Sequence, residues 1–229
     1  MDSLNNPQYV IHPNFERVEQ EVINKFIDIP TTVIGNYLNK TTGWPSNLRP
    51  FHSLKLLGRA YTVNVTPGDN SLVYYAIDNA EPGDVIVVAG SSFTERALVG
   101  ELMVTLAKEK ELHGLIIDGA IRDPQEISQL ELPVYAVSTT SNGPIRNIKN
   151  GSGSINTPIS IGNRVVNPGD IVVGDQSGIV NFSPKEAQAI YTAAQKMLSK
   201  EQEVLERIKK NKTMDLSWLY KGLQEIQPQ

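Results

Sequence analysis

The sequence predicts an α/β protein: a single α/β/β layered domain with a mixed, partly parallel sheet and a C-terminal helical extension. Three observations carry that prediction. Strand-length apolar runs alternate with helix-period segments between residues 59 and 138, the rhythm of parallel strands joined by crossover helices. After residue 139 the helical periodicity stops and short β-rich segments follow one another up to residue 182. The chain then closes in one long helix-period stretch. At 229 residues with 40% hydrophobic content, one core-forming domain is expected. It divides into an N-terminal arm and helix (1–28), a core (29–182) and a helical extension (183–229).

Residues 1–13 are polar and rich in Asn and Pro, and read as a loose arm. Phe15, Val18, Val22 and Phe26 recur at helical spacing and predict a helix over 15–27. A second short helix over 31–38 follows Pro30, with Thr31 or Thr32 as its cap. The strand at 59–66 sets Ala60, Thr62 and Asn64 on one face against Tyr61, Val63 and Val65 on the other. Next come a helix over 71–79, a buried strand over 84–89, a helix over 97–108 and a strand over 114–118. A short helix over 124–130 leads into a strand over 134–138. Gly, Asn and Ser make 141–156 a loop, and short strands follow at 158–161, 164–166, 170–173 and 178–182. The final helix, 184–210, carries a stripe of Ile190, Ala194, Met197, Leu205 and Ile208. Its start, Ser183-Pro184-Lys185-Glu186, is a capping box with Pro at the first helical position. Residues 214–226, with Trp218, Leu219 and Tyr220, form a short amphipathic tail. Pro-Gly-Asp occurs at 67–69, 82–84 and 168–170 and reads as type II turns rather than chemistry.

Composition narrows the function. The absence of cysteine excludes disulfides, thiolate metal sites and a thiol nucleophile. A net charge of −4 is a poor match for nucleic acid or an anionic membrane, so neither is expected as a partner. Residues 1–30 lack a basic start followed by an apolar run, and the apolar runs elsewhere are far too short to span a bilayer; a cytoplasmic protein is expected. His12, His52 and His113 are scattered, no Gly-x-Ser-x-Gly elbow occurs, and the lysines fall in loops or on polar helix faces. The Gly-Ser-Gly-Ser run at 151–154 lacks the Lys and the strand–helix setting of a phosphate loop.

The informative stretch runs from Gly100-Glu101-Leu102-Met103 to Asp118-Gly119-Ala120-Ile121-Arg122-Asp123-Pro124-Gln125-Glu126. An apolar strand enters a glycine-containing loop bearing Asp118, Arg122 and Asp123, where ligands of open α/β sheets gather. Asp123-Pro124-Gln125-Glu126 is also a helix start, with Asp as cap and Pro at the first position. Capping explains neither the adjacent Arg nor the second carboxylate. An Arg fork with carboxylates suits an anionic substrate beside a hard divalent cation. Gly100 stands at a helix start, where free N–H groups favour a carboxylate; close packing of the helix is the competing explanation.

These two blocks resemble the 4-hydroxy-4-methyl-2-oxoglutarate aldolase family, which also contains the regulators of ribonuclease E activity. The resemblance runs from about Ile29 to Phe182, and its specific part is the Arg-Asp-x-x-Glu block with the upstream Gly-Glu-Leu. It implies a class II pyruvate aldolase, a carbon–carbon lyase that uses Mg²⁺ or another divalent metal such as Mn²⁺ and assembles as a homotrimer or a dimer of trimers. The implied substrates are 2-oxo acids of the 4-hydroxy-4-methyl-2-oxoglutarate or 4-carboxy-4-hydroxy-2-oxoadipate type, with oxaloacetate decarboxylation as a second activity. By the same resemblance, Gly100, Glu101, Leu102 and Met103 hold the pyruvate carboxylate and Arg122 contacts the oxygen that becomes the enolate. Asp123 binds the metal, Glu101 orients water, and Asp118 joins Arg122 and Glu101 as a catalytic group. Asn36 stands where the family often has Asp, and Glu201, Glu203 and Glu206 are candidates to enter a neighbouring subunit's site. The alternative is a non-catalytic regulator of the ribonuclease E type, acting through protein–protein binding.

Overall fold

Runs of Val and Ile build the centre of the molecule in the computed structural model, which describes residues 8–38, 40 and 42–226. In chain order the elements are β1 (Tyr9–Ile11), α1 (Gln20–Asn24), α2 (Thr31–Tyr37), β2 (Arg49–Pro50), β3 (Leu56–Val65), α3 (Ser71–Asn79), β4 (Asp84–Val99), α4 (Glu101–Glu109), β5 (Gly114–Ile121), α5 (Pro124–Ile127) and β6 (Val134–Thr139). There follow β7 (Gly153–Ile155), β8 (Ile159–Ile161), β9 (Arg164–Val166), β10 (Ile171–Asp175), β11 (Gly178–Phe182), α6 (Ala187–Asn211) and α7 (Ser217–Ile226).

Strands β3, β4, β5 and β6 lie side by side in parallel, and antiparallel or short strands finish both edges. The free edge of β3 is shared: its first half pairs with β10 and its last residues with β7, both antiparallel. Side chains alternate across the sheet, so successive residues of one strand feed two different cores. Ile86 and Val88 of β4 pack with α3 and α4, whereas Val85, Val87 and Ala89 face the β8–β9 hairpin. Helices, sheet and hairpin therefore stack as α/β/β. A third core joins Ile23 of α1, Phe26 just after it, Val33 and Ile34 of α2, strands β10 and β11, and Ala187, Ile190 and Ala194 of α6. Among the described residues no helix is long and apolar enough to cross a membrane.

Several local expectations differ from the structure, among them the helix expected over 124–130, which ends at Ile127. The arm is not loose throughout, because Tyr9–Ile11 pairs in parallel with β7; residues 1–7 lie outside the described residues. The same pairing turns the end of the expected loop into a strand, and Gly153 permits it by letting the Asn64 carbonyl come closer than a side chain would allow. The helix expected over 15–27 shrinks to Gln20–Asn24. Residues 15–19 form no helix because Phe15 packs edge-on against Tyr61 and Arg17 pairs with Asp84 and Glu81, contacts that outweigh helical periodicity. Finally, 97–99 is strand rather than helix: Ala97 and Val99 pair with Ala120 and Ile121 of β5, so Gly100 becomes the boundary.

Candidate active site

Chain crossovers place the ends of β4, β5 and β6 together at the carboxyl edge of the parallel sheet, and the Arg122 amide donates to the Val99 carbonyl at 3.0 Å. Helix α4 starts directly after β4, with Gly100 as its N-cap, so its first-turn amides open onto the residues that follow β5. Asp123 adopts a left-handed conformation (φ 57°, ψ 47°), which turns its side chain away from α5, the helix that it precedes. The carboxylate makes no capping bond to α5. Instead Asp123 Oδ2 accepts from the Glu101 amide at 3.2 Å and from Arg122 Nε at 3.1 Å. The capping alternative is thus inverted: Asp123 sits at the N-terminus of α4, where the helix dipole favours a negative charge.

Gly100 is required by this arrangement. A Cβ there would stand 2.7 Å from Asp123 Oδ2 and 2.9 Å from Arg122 Cγ, so the close approach is of the Arg–Asp pair rather than of helix against sheet. Arg122 and Asp123 line a small cavity of about 120 Å³ together with Gly100, Leu102, Met103 and Arg146. They also line an open recess bounded by Thr139, Thr140 and Ser141. Arg122 is half-exposed and Asp123 one-third exposed, so both reach solvent and each other. Glu101 is partly exposed at the first position of α4, and Leu102 points outward beside the cavity.

Asp118 is a correction. It lies within β5 rather than on the loop, is 4% exposed, and pairs in register with Ala89. It follows Ile116 by two residues, so its side chain belongs to the hairpin face of the sheet, opposite α4. Its Oδ1 accepts from Ser92 Oγ at 2.6 Å. That bond holds the irregular part of β4, where Ser91 and Ser92 are both left-handed and the register with β5 shifts. A loop reading failed because β5 continues three residues beyond the strand expected over 114–118.

Other expected positions lie elsewhere in the same chain. Asn36 lines a separate recess with Thr31, Lys40 and Trp44, and its amide faces Met197 Sδ at 3.5 Å. Glu201, Glu203 and Glu206 are exposed on α6 and do not line the Arg122 cavity. Among the described residues no three His, Asp or Glu side chains converge as a metal cage.

Sequence reasoning missed Asn70, Tyr74 and Arg146. Asn70 is 2% exposed and its amide donates to the Leu98 carbonyl at 3.1 Å, which leaves Oδ1 without a partner in the cavity wall. Arg146 Nη2 donates to Tyr74 OH at 3.2 Å. The one available signal was an Arg in a Gly/Asn/Ser loop that follows a parallel strand, on the side of the sheet where sites form.

Comparisons with known proteins bear on the family and the fold. The family model described as RraA-like, Aldolase/RraA, matches residues 24–181. A protein of Halalkalibacterium halodurans named "Putative 4-hydroxy-4-methyl-2-oxoglutarate aldolase" is 35% identical over 181 residues, covering 79% of this chain and 85% of its own. A structure of an uncharacterized protein from Pseudomonas syringae superposes with a TM-score of 0.75 at 22% identity, covering 87% of this chain and 97% of its own. The RNA-processing inhibitor RraA from Thermus thermophilis superposes with a TM-score of 0.62 at 24% identity, over 68% of this chain and 93% of its own. At those identities the two structures speak for the fold alone. The extent of the family match, over the segment that holds Gly100, Arg122 and Asp123, makes this chain a member of the RraA-like aldolase/RraA family.

Proposed function

We propose that the protein is a divalent-metal-dependent pyruvate aldolase that cleaves 4-hydroxy-2-oxo acids through a pyruvate enolate. The observation that carries the reading is the contact across Gly100: Arg122 bonds Asp123, and Asp123 in turn accepts from the Glu101 amide in the first turn of α4. A guanidinium, a carboxylate and helix N-terminal amides on one small cavity are the groups that a 2-oxo acid and a hard cation call for.

The donor set fits such a cation. Asp123 offers one carboxylate, both of its contacts fall on Oδ2, and no all-protein cage stands nearby among the described residues. One carboxylate with water and substrate completing the shell is how Mg²⁺ is usually held, and Mn²⁺ accepts the same ligands. When bound, the cation supplies positive charge beside the developing enolate oxygen.

The chain's own residues do the rest in this reading. In the first turn of α4 the Met103 amide donates to the Gly100 carbonyl at 3.1 Å, and the Leu102 amide orients the substrate carboxylate. Arg122 holds its guanidinium against the carbonyl oxygen as negative charge grows there. Glu101, the first residue of α4, is the acid–base group. Asp118 has no part, because it faces the other side of the sheet and serves the β4 irregularity. The same enolate arises when oxaloacetate loses CO₂, so decarboxylation accompanies the aldol activity. A regulator of RNA processing would act through its surface and would not need these groups gathered on one cavity, so their convergence favours the aldolase.

The test is pyruvate release, coupled to NADH oxidation through lactate dehydrogenase, from 4-hydroxy-4-methyl-2-oxoglutarate and from oxaloacetate. Each is run with Mg²⁺ and with EDTA, after correction for spontaneous oxaloacetate decay. Release that EDTA abolishes is expected, as is a loss of about 100-fold or more in Arg122→Ala and in Asp123→Ala. Full activity in either variant, or in EDTA, would overturn the mechanism.

A further inference from the structure

Helix α6 outruns the domain that it packs on. Ala187, Ile190 and Ala194 seat its first half in the third core, but from Ser199 to Asn211 every residue except the half-buried Ile208 is exposed. That stretch extends about 18 Å past the core. The apolar stripe does not stop where the core does. Val204, Leu205 and Ile208 continue the line of Ala193 and Met197 and form a groove of about 490 Å³, with Met214 lining it beyond the end of the helix. A free helix of this length is marginal in water unless its apolar face is covered.

The same chain carries a second uncovered apolar face. On α7, Trp218, Leu219, Gly222 and Leu223 fall on one side at helical spacing. Trp218 is 69% exposed and Leu223 48%, and the space beside Gly222 is open to a closely approaching helix. Within one copy, then, α7 leaves its apolar face in solvent and the α6 groove unfilled. The two surfaces also match in charge. Lys196, Lys200 and Glu201 line the groove, while Asp215 precedes α7 and Lys221 lies within it. Asp215 is fixed there by accepting from the Ser217 amide at 2.9 Å. Laid parallel to α6, α7 sets Asp215 beside Lys196 and Lys221 beside Glu201, because the two spacings differ by one residue. Among the described residues no ion pair engages Lys196, Lys200, Glu201 or Lys221.

Only the α7 of another copy can lie this way. Asp215 follows Asn211, the last residue of α6, by four residues, a reach of at most about 14 Å. Lys196 lies fifteen residues back along α6, about 22 Å away. We propose that α7 of one copy lies parallel to α6 of a second copy and fills its groove, and that the second returns the same contact, so that two copies exchange their C-terminal helices. The projecting ends of the two α6 helices then run antiparallel, each covered by the other copy's α7. The family match ends at residue 181, so this contact is separate from any assembly through the core, and it does not depend on the aldolase reading.

The test is sedimentation equilibrium of the full chain. Val204→Asp spoils the groove and Trp218→Ser spoils the helix. Both side chains reach solvent in a single copy, so thermal melts should show each variant folded. Each should weaken the association of wild type about 30-fold or more, the loss expected when a buried anchor is removed. An equimolar mixture of the two variants should regain association, because the Trp218→Ser copy keeps an intact groove and the Val204→Asp copy an intact helix. Glu201→Lys should also weaken the contact, and Lys221→Glu in the same chain should restore it. A wild type that remains a single copy, or whose association neither variant weakens, would overturn the proposal. So would a mixture that behaves like its separate components, since that result seats α7 on its own α6.

Discussion

Gly100 shows how much one missing side chain can govern. Its backbone is extended (φ −138°, ψ −177°), so it is needed for space and not for an unusual conformation. The atoms that a methyl would strike, Asp123 Oδ2 at 2.7 Å and Arg122 Cγ at 2.9 Å, belong to side chains and not to backbone, so the pair is displaced while the fold is kept. Gly100→Ala should therefore lose only about 1 kcal/mol of stability, a cost normal at an N-cap, yet lower pyruvate release by about 100-fold, because the displaced pair no longer meets the α4 amides. Thermal melts beside the coupled assay separate the two effects. An alanine variant with unaltered kcat would show that the contact across Gly100 has no catalytic part. Asp123 carries the same lesson. Its sequence context reads equally as a cap for α5 or as a site residue, and its left-handed backbone directs the carboxylate to α4 instead.

Elements here begin and end where pairing partners run out, not where local propensity changes. Residues 97–99 could continue into the helix that follows, but β5 offers Ala120 and Ile121 as partners and draws them into the sheet. The loop between β6 and β7 has little structure of its own, and its order is borrowed from the Pro-Gly-Asp turn at 67–69. There Asp69, 5% exposed, accepts from Ser71 N at 2.8 Å, from Ser71 Oγ at 2.6 Å and from Asn147 N at 3.0 Å. The first of the three turns thus anchors the loop bearing Arg146 while bracing the start of α3. Asp69→Ala should cost about 2–3 kcal/mol, since it removes a buried carboxylate that accepts three hydrogen bonds from two separate segments. Urea unfolding measures the loss, and a midpoint equal to that of wild type would show that the loop is held by its other contacts.

Across the whole molecule, three cores share one sheet, and buried tyrosines tie their stability to pH. Tyr61 is fully buried, its hydroxyl has no partner among the described residues, and burial pushes its phenol up to about 12. The phenolate is therefore harder to form in the folded chain than in the unfolded one. As pH rises from the ordinary tyrosine value of about 10 toward 12, the unfolded state loses protons first and stability falls. Tyr135 shifts in the same direction through burial and the nearby Asp175 charge, although its hydroxyl does donate to the Asp175 carbonyl at 2.9 Å. Tyr61→Phe should be neutral or stabilising at pH 8 and should flatten the alkaline loss, because an unpaired buried hydroxyl contributes nothing. Urea midpoints at pH 8 and at about pH 11 check this, and an equally steep loss in the variant would assign the titration elsewhere.

Helix α3 over 71–79, strand β9 over 164–166 and strand β11 over 178–182 match their sequence patterns residue for residue. Each is a short period of apolar positions bounded by turn residues, so local chemistry suffices to define it. The Gly-Glu-Leu and Arg-Asp blocks were equally plain, since their residue types and order lie within single segments. What local chemistry could not decide was which distant backbone completes each feature. Strand β1 exists because β7 pairs with it, and 97–99 is strand because β5 runs on. Asp118 is turned from the site by the alternation of a strand longer than its apolar run. Arg146 reaches the cavity because Gly68 and Asp69, more than 70 residues earlier, hold its neighbours. Hydrogen bonds between segments far apart in the chain carry no local period, so only the folded arrangement reveals them.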